Sequence, residues 1–479
     1  MISRTSIFDN PRGYSMAINS VNNLETTDKA DASKPPAKRW VYVIPVAVIM
    51  YMLAYLDRTN TAMILPYINS DTSSQIHLTK ADEGIVSGIF FFGYMFLQIP
   101  AAILAERWSA KKTVAILMFL WGFAAMAVSF VQSNGQFYTA RFVLGFFEGG
   151  VWPSVLILIA NWFPLKERAR ANSLWMCCLP LSSVLISPIT GALLDHFSWR
   201  TVLFVEGIPP LIWAIVWLLV VSDHPHNAKW ASDAEREYIE AELTADEANK
   251  PIIDGDGGYL AAARSAHVWQ LITIYLCFMG GFYGYTLWLP TVVKGLMSGS
   301  SASSVGLVTA IPYIFAVVGM LAVSSWSDHT GNRRVAIAVP LAIGAVALTI
   351  GQVVHHPIVN IVLLVIVAIG VYSPYGPYWA VPGAYLRIEV LAGGLGLINA
   401  LGNLGGFVGP YLVGWLTDVT GSAATGYYAL AGLLVVGAVL TWVVVKPKIT
   451  PTTPQGPVET SLASAPGLFA STLFWTGSM

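Results

Sequence analysis

The sequence predicts an all-α membrane protein whose twelve transmembrane helices form two pseudo-symmetric bundles of six. Three observations predict it. Of the 479 residues, 55% are hydrophobic and only 11% are charged, against about 25% charged in ordinary soluble domains. Apolar stretches, most of them long enough to cross a bilayer (about 20 residues), recur at roughly 40–66, 83–105, 113–132, 136–162, 171–194, 201–221, 268–292, 303–326, 335–354, 358–382, 390–416 and 426–445, numbered spans 1 to 12. The short alternating strands of a closed barrel are not found. With both termini placed inside, the tails and inside loops carry 21 Lys/Arg and the outside loops only Lys80, Arg200 and Lys294. That asymmetry sets the orientation and supports an even number of spans.

Residues 1–39 are polar and lack the apolar core of a cleaved signal peptide; a disordered cytoplasmic tail is expected. Residues 40–222 form the first bundle. Span 1 holds Asp57 and Arg58 side by side. Each such charge costs roughly 2.5–3.5 kcal/mol at a helix centre, so the pair must face a protected polar interior. Span 2 adds Tyr94 and Gln98. In span 4, Arg141 and Glu148 are seven residues apart, about two turns, and share a face. Arg141 lies near the end of its span and could equally snorkel to the interface. Glu148 lies mid-span and cannot. Burial and a neighbouring cation pull a carboxylate's proton affinity in opposite directions, so such a group can be tuned to exchange a proton as a cavity opens. Glycines at small-xxx-small spacing (Gly84/Gly88, Gly145/Gly149, Gly402/Gly406) suit close helix packing, and Pro153, Pro180 and Pro382 are expected to kink their spans. Cys177, Cys178 and Cys277 all fall in spans and read as small core residues. No histidine lies deep in a span and several sit in loops (His224, His226, His355, His356), so no metal site is expected.

Residues 223–267 are a cytoplasmic linker. Its stretch Lys229–Glu240 is amphipathic, and Ser232 with Glu235 forms a capping-box signature; a short surface helix joining two halves is expected, with a regulatory role the lesser alternative. The second bundle, 268–446, carries Tyr285 and Trp288 in span 7, Tyr378 and Trp379 in span 10, and Asn399 and Asn403 in span 11. The tail 447–479 is rich in Pro, Thr and Ser, and its last apolar patch is too short to span.

The halves repeat. Between spans 2 and 3 the chain reads Leu104-Ala-Glu-Arg-Trp-Ser-Ala-Lys-Lys112, and between spans 8 and 9 Trp326-Ser-Asp-His-Thr-Gly-Asn-Arg-Arg334. A carboxylate, Glu106 or Asp328, precedes a basic pair, Lys111 and Lys112 or Arg333 and Arg334, with Arg107 beside the first acid; the matching positions are 222 residues apart. Short inside loops are basic on topological grounds alone, but the paired placement of acid and base favours a cytoplasmic latch. Parallel repeats of this kind are one known transporter plan, with substrate held between the halves near the midplane.

These loops resemble the signature of the major facilitator superfamily. Tyr55-Leu-Asp-Arg-Thr-Asn60, Gly93-Tyr94 with Gln98-Ile-Pro100, Arg141-Phe-Val-Leu-Gly-Phe-Phe-Glu148, Tyr285 with Trp288-Leu-Pro290, and Asn399 with Gly402-Asn403 resemble its anion:cation symporter family. The resemblance covers about 40–446 and implies the major facilitator fold. Departures are Ala102 and Ser109, where the superfamily usually has glycine, and Glu106, where it usually has aspartate; a shifted latch is expected. The resemblance implies that Asp57 and Glu148 carry a coupling proton and that Arg58 binds the substrate carboxylate, for which its planar fork is suited. Tyr55, Tyr94, Gln98, Arg141, Tyr285, Trp288, Tyr378, Trp379, Asn399 and Asn403 are expected to complete the substrate cavity. For any one aromatic, core packing is as good a reading. The asparagines, four apart, share a face but could instead bond between helices.

The expected function is proton-coupled symport of a small organic anion into the cell by alternating access, with no cofactor beyond H+. Sodium-coupled or exchange modes are alternatives. A membrane enzyme or receptor has no support: there is no phosphate-cradling glycine loop with lysine, no His/Cys metal cluster and no large extramembrane domain. A bacterial inner (plasma) membrane location, both termini cytoplasmic, monomeric action and no nucleic-acid partner are expected. Arg168-Ala-Arg-Ala-Asn172 with Val205-Glu-Gly207 resembles carriers of sugar acids such as aldonates, and equally permeases for aromatic acids such as hydroxyphenylacetate. A sugar acid needs many hydroxyl partners; an aromatic acid needs a flatter apolar wall. The sequence leans to the sugar acid.

Overall fold

Among the described residues of the computed structural model, eleven helices are long and apolar enough to cross a bilayer: Lys38–Ile68, Lys80–Arg107, Ala110–Val128, Asn134–Trp162, Leu165–His196, Trp199–Val220, Ala266–Leu296, Ala302–Thr330, Arg333–Gly351, Pro357–Tyr385 and Ala423–Val444. They are spans 1 to 10 and span 12. The structure describes residues 38–71, 75–176, 178–248, 258–354 and 356–447; most of both expected tails, Cys177 and His355 lie outside these. No strand occurs among the described residues. The expected single span 11 is instead two shorter helices end to end, Ile388–Gly402 and Gly405–Thr420. At the joint the amides of Leu404, Gly406 and Phe407 bond carbonyls three residues back, and the glycine-rich stretch there tolerates this tighter winding.

Helix ends follow local chemistry. Thr79, Ser133, Ser198 and Ser301 each accept a backbone N–H in the first turn of spans 2, 4, 6 and 8, satisfying donors that a helix start leaves bare. Gly331 and Gly421 end spans 8 and 11 at φ 66° and 70°, the left-handed conformation that glycine adopts without strain.

The linker helix Asp233–Ala248 is bound to the first bundle more firmly than a surface helix need be. Ser232 Oγ accepts the Glu235 N–H at 3.4 Å, but the Glu235 carboxylate does not complete the capping box; it accepts the Arg39 amide at 3.0 Å and the Arg39 guanidinium at 3.1 Å. The same guanidinium forks onto Glu167, at the start of span 5, at 2.7 and 2.8 Å. Tyr238 also donates to Glu167, at 2.9 Å, and burial, followed by that bond, pushes its phenol above the usual range.

The halves meet most extensively in two places, span 5 against span 8 and span 2 against span 11. Both contacts use glycine on both sides. A Cβ on Gly191 would strike the Ala302 carbonyl, and one on Gly306 the Ser187 carbonyl; a Cβ on Gly414 would strike the Lys80 carbonyl, and one on Gly84 the Pro410 carbonyl. Gly84 and Gly306 are 222 residues apart and Gly191 and Gly414 are 223, so the interfaces are two copies of one contact. Within the first bundle, Gly145 and Gly149 likewise press against the carbonyls of Phe90 and Tyr94. Gly191→Val is expected to cost about 1–3 kcal/mol through overpacking and to lower the melting temperature of the purified protein in a fluorimetric scan. An unchanged melt would mean that the backbones do not meet this closely.

Candidate functional site

Residues Tyr55 to Thr61 of span 1 are all buried. Arg58, 3% exposed, donates from Nε to Glu148 Oε1 at 3.0 Å and also from Nη2 to the same oxygen. Its Nη1 donates to the Tyr283 hydroxyl at 3.1 Å. Arg58 therefore joins span 4 of the first half to span 7 of the second. The rings of Phe90 and Tyr94 lie 5.0 Å from the guanidinium and that of Tyr55 5.5 Å, distances at which a cation gains from the ring faces. Glu148 is 1% exposed, and its Oε2 has no hydrogen-bond partner among the described residues.

Asp57 does not share this site. Consecutive helical residues point about 100° apart, and Asp57 turns toward Trp121, Arg141 and Glu206 of the first bundle, where its Oδ2 has no hydrogen-bond partner among the described residues. Arg141 acts as a strut there: it donates to the backbone carbonyls of Asp57 at 2.9 Å and Val86 at 3.2 Å, and so binds main chain rather than facing the interface.

On the side of the basic loops, a cavity of about 260 Å³ opens between the halves. Gln98, Trp152, Asn172, Tyr375, Trp379 and Asn399 are among its lining residues. Asn399 Nδ2 donates to Gln98 Oε1 at 2.7 Å, across the halves; Asn403 donates to Asn399 Oδ1 at 2.9 Å and braces it. Gln98 Nε2, Trp379 Nε1 and Asn172 Oδ1 are buried at the cavity wall with no hydrogen-bond partner among the described residues. Tyr259, from the end of the linker, closes part of the mouth.

The other expected site residues lie elsewhere. Tyr285 donates to the Leu364 carbonyl at 2.8 Å and lines a separate cavity within the second bundle. Trp288 donates to the Pro410 carbonyl at 3.1 Å, and Tyr378 to the Leu271 carbonyl at 2.8 Å. The tyrosine of span 7 that meets Arg58 is Tyr283, two residues before Tyr285 and so on the far side of the helix. Tyr55 reaches across the halves, its hydroxyl 3.5 Å from that of Tyr372.

The expected cytoplasmic latch does not join the halves. Glu106 and Arg107 are exposed and form no ion pair among the described residues. The Lys111 amide donates to Asp223 at 2.7 Å, and Lys112 lies 5.3 Å from the Trp108 ring. Asp328 pairs with Arg333 of its own loop, and Arg334 lies 4.0 Å from the Trp442 ring. The opposite end is fastened. Asp195, at the end of span 5, accepts the amides of Ala302 at 2.7 Å and Ser303 at 3.0 Å. Asp418, at the end of span 11, accepts those of Lys80 at 3.1 Å and Ala81 at 2.7 Å. Lys294 donates to the Pro66 carbonyl at 2.7 Å. The molecule is thus closed at this end and open at the end with the basic loops.

The family model described as Major Facilitator Superfamily matches residues 47–387 and 299–479. A protein of Agrobacterium vitis named "Putative tartrate transporter" is 34% identical over 407 residues, covering 84% of this chain and 92% of its own length. The "Quinolone resistance transporter" of Acinetobacter baumannii is 31% identical over 408 residues, 84% of this chain and 93% of its own. A bacterial homolog of the human lysosomal transporter Spinster, solved inward-facing and unoccupied, superposes with a TM-score of 0.67 at 18% identity, over 84% of this chain and 96% of that one.

Proposed function

The chain belongs to the Major Facilitator Superfamily, and from that premise we propose that it is a proton-coupled symporter of a small organic anion, of the anion:cation symporter family. The observation that carries the reading is the bond between Arg58 and Glu148. A substrate carboxylate and Glu148 compete for one guanidinium fork. A proton on Glu148 weakens its hold and leaves Arg58 to the substrate, so anion and proton bind together. The two bundles, 40–222 and 268–446, are the units that rock about this site, with the linker 223–267 on the cytoplasmic side. The protein acts as a monomer in the bacterial inner membrane, both termini cytoplasmic, with H+ rather than sodium or a counter-anion as coupling partner.

In proteoliposomes, uptake should follow an inward proton gradient and stop when it is collapsed; wild-type uptake that ignores the gradient rules out symport. Glu148→Gln should lose accumulation at least about tenfold while keeping counterflow exchange. If it accumulated like wild type, Glu148 would not be the proton site.

The cavity wall favours the aromatic alternative over the sugar acid. Trp152, Tyr375 and Trp379 with Leu156, Met320 and Leu321 leave few partners for hydroxyls, and each hydroxyl buried unpaired is costly. A flat aromatic body with one carboxylate suits such a wall. In a thermal-shift screen, hydroxyphenylacetate is expected to stabilise the protein more than galactonate or tartrate. Stabilisation by neutral sugars alone would remove the anion assignment.

A further inference from the structure

We propose that Glu206 is a third proton-carrying group, which relays the coupling proton between the outer face and Asp57. The proposal rests on the proton-coupled reading above. Glu206 is in span 6, 4% exposed, and packs among spans 1, 3 and 5. Its Oε1 accepts from Thr190 of span 5 at 2.6 Å, and its Oε2 has no hydrogen-bond partner among the described residues. Asn60 of span 1 faces the same carboxylate. Asn60 follows Asp57 by three residues, the spacing that puts both on one helix face. Asp57 is itself 2% exposed with a bare Oδ2.

Of the cations around this space, only Arg141 acts on Asp57, and none acts on Glu206 among the described residues. Arg141 of span 4 bonds the carbonyls of Asp57 and Val86, and Arg58 bonds Glu148 and Tyr283. At the outer end of span 6, Arg200 bonds the carbonyls of Ser129 and Val131. Span 3 offers Trp121 and no charge at this depth; Asp195 and His196 lie beyond, at the outer end of span 5. A carboxylate without a cation beside it is costly within a membrane protein; Glu206 is in that position, and a proton is a cation small enough to fit there.

Depth orders the acids. At 1.5 Å per residue, Glu206 lies about 10 Å below the outer end of its span, Asp57 about 16 Å and Glu148 about 21 Å. The series descends from the outer face to Arg58. It runs inside the first bundle, separate from the fastened interface, so a proton can pass while substrate cannot.

Two readouts test this on the full-length protein in bilayers. Infrared difference spectra between acid and neutral pH need no substrate. They should show a protonated-carboxyl C=O band in the wild type that Glu206→Gln lacks. In proteoliposomes, with the carboxylate that most stabilises the wild type as probe, Glu206→Gln should keep counterflow within about twofold, lose gradient-driven accumulation at least about tenfold, and flatten the pH profile. Glu206→Asp should recover part of it. Superposable spectra, or a Gln variant that follows the gradient as wild type does, overturn the proposal. So does a parallel loss of counterflow and accumulation that Glu206→Asp does not restore, since that marks a structural role. A wild type that ignores the gradient instead sinks the proton-coupled reading, and the relay with it.

Discussion

Arg58→Gln should reduce carboxylate uptake to the level of empty vesicles, a loss of at least about 100-fold, and should destabilise the protein as well. Two charge-assisted hydrogen bonds to a carboxylate are worth about 1.5–3 kcal/mol each, and every 1.4 kcal/mol is about tenfold in affinity. The loss of stability has a separate origin. Without Arg58, Glu148 is left buried and unpaired, and breaking one side of such a pair costs about 3–5 kcal/mol. Arg58→Gln/Glu148→Gln removes both charges and should recover most of the melting temperature while remaining inactive. That contrast separates the site's chemistry from its packing. Arg58→Lys keeps the charge but loses the fork and the reach to Tyr283, and should fall between. Binding of any carboxylate by Arg58→Gln with wild-type affinity, measured by calorimetry, would remove Arg58 from the substrate site.

Asp195→Ala together with Asp418→Ala should shift the protein toward its outward-open form. Each aspartate accepts two amides from the first turn of the opposing span, donors that a helix cannot satisfy internally, at the end where its dipole favours an anion. At about 0.3–1 kcal/mol per exposed aspartate, losing both moves the equilibrium roughly 3- to 30-fold. Spin labels at Gln132→Cys and Val353→Cys, exposed in outer loops of the two halves, in a background lacking the three native cysteines, report the change. The double variant should add a longer-distance population, and each single variant a smaller one. Distances indistinguishable from those of the unsubstituted protein would show that the aspartates do not hold this end shut.

Much of the fold was legible because the bilayer imposes it: span length, Ser/Thr starts and basic inside loops are all written in residue types. Arg58 and Glu148 were legible for the same reason, since a charge in mid-membrane needs a partner. Helix phase was not. Adjacency in sequence puts Asp57 and Arg58 in one polar interior but hides the 100° between them, and the motif points to Tyr285 where Tyr283 meets the arginine. The 222-residue offset seen in the inner loops recurs between Lys80 and Ala302, but these contacts use backbone amides and carbonyls, which leave little trace in side-chain identity. The joint in span 11 was hidden for a related reason, because glycine fits a straight helix pair and a bent one alike. Glu206 stood in view beside Gly207, yet nothing in one sequence says that Thr190 and Asn60 face it.

The Arg58–Glu148 pair sums to zero charge, and that has an electrical meaning. A single elementary charge moved across the membrane would feel about 2.3 kcal/mol for every 100 mV. The pair itself feels none, so resetting the unloaded carrier is blind to voltage at this centre. On the proposed symport, loading one proton and one monocarboxylate would exchange that zero for another: neutral Glu148, and Arg58 against the substrate. A carrier built this way draws no current and accumulates its substrate on the pH difference alone. A dicarboxylate such as tartrate would need a second proton to travel as quietly, and under the proposed relay Asp57 or Glu206 would hold it.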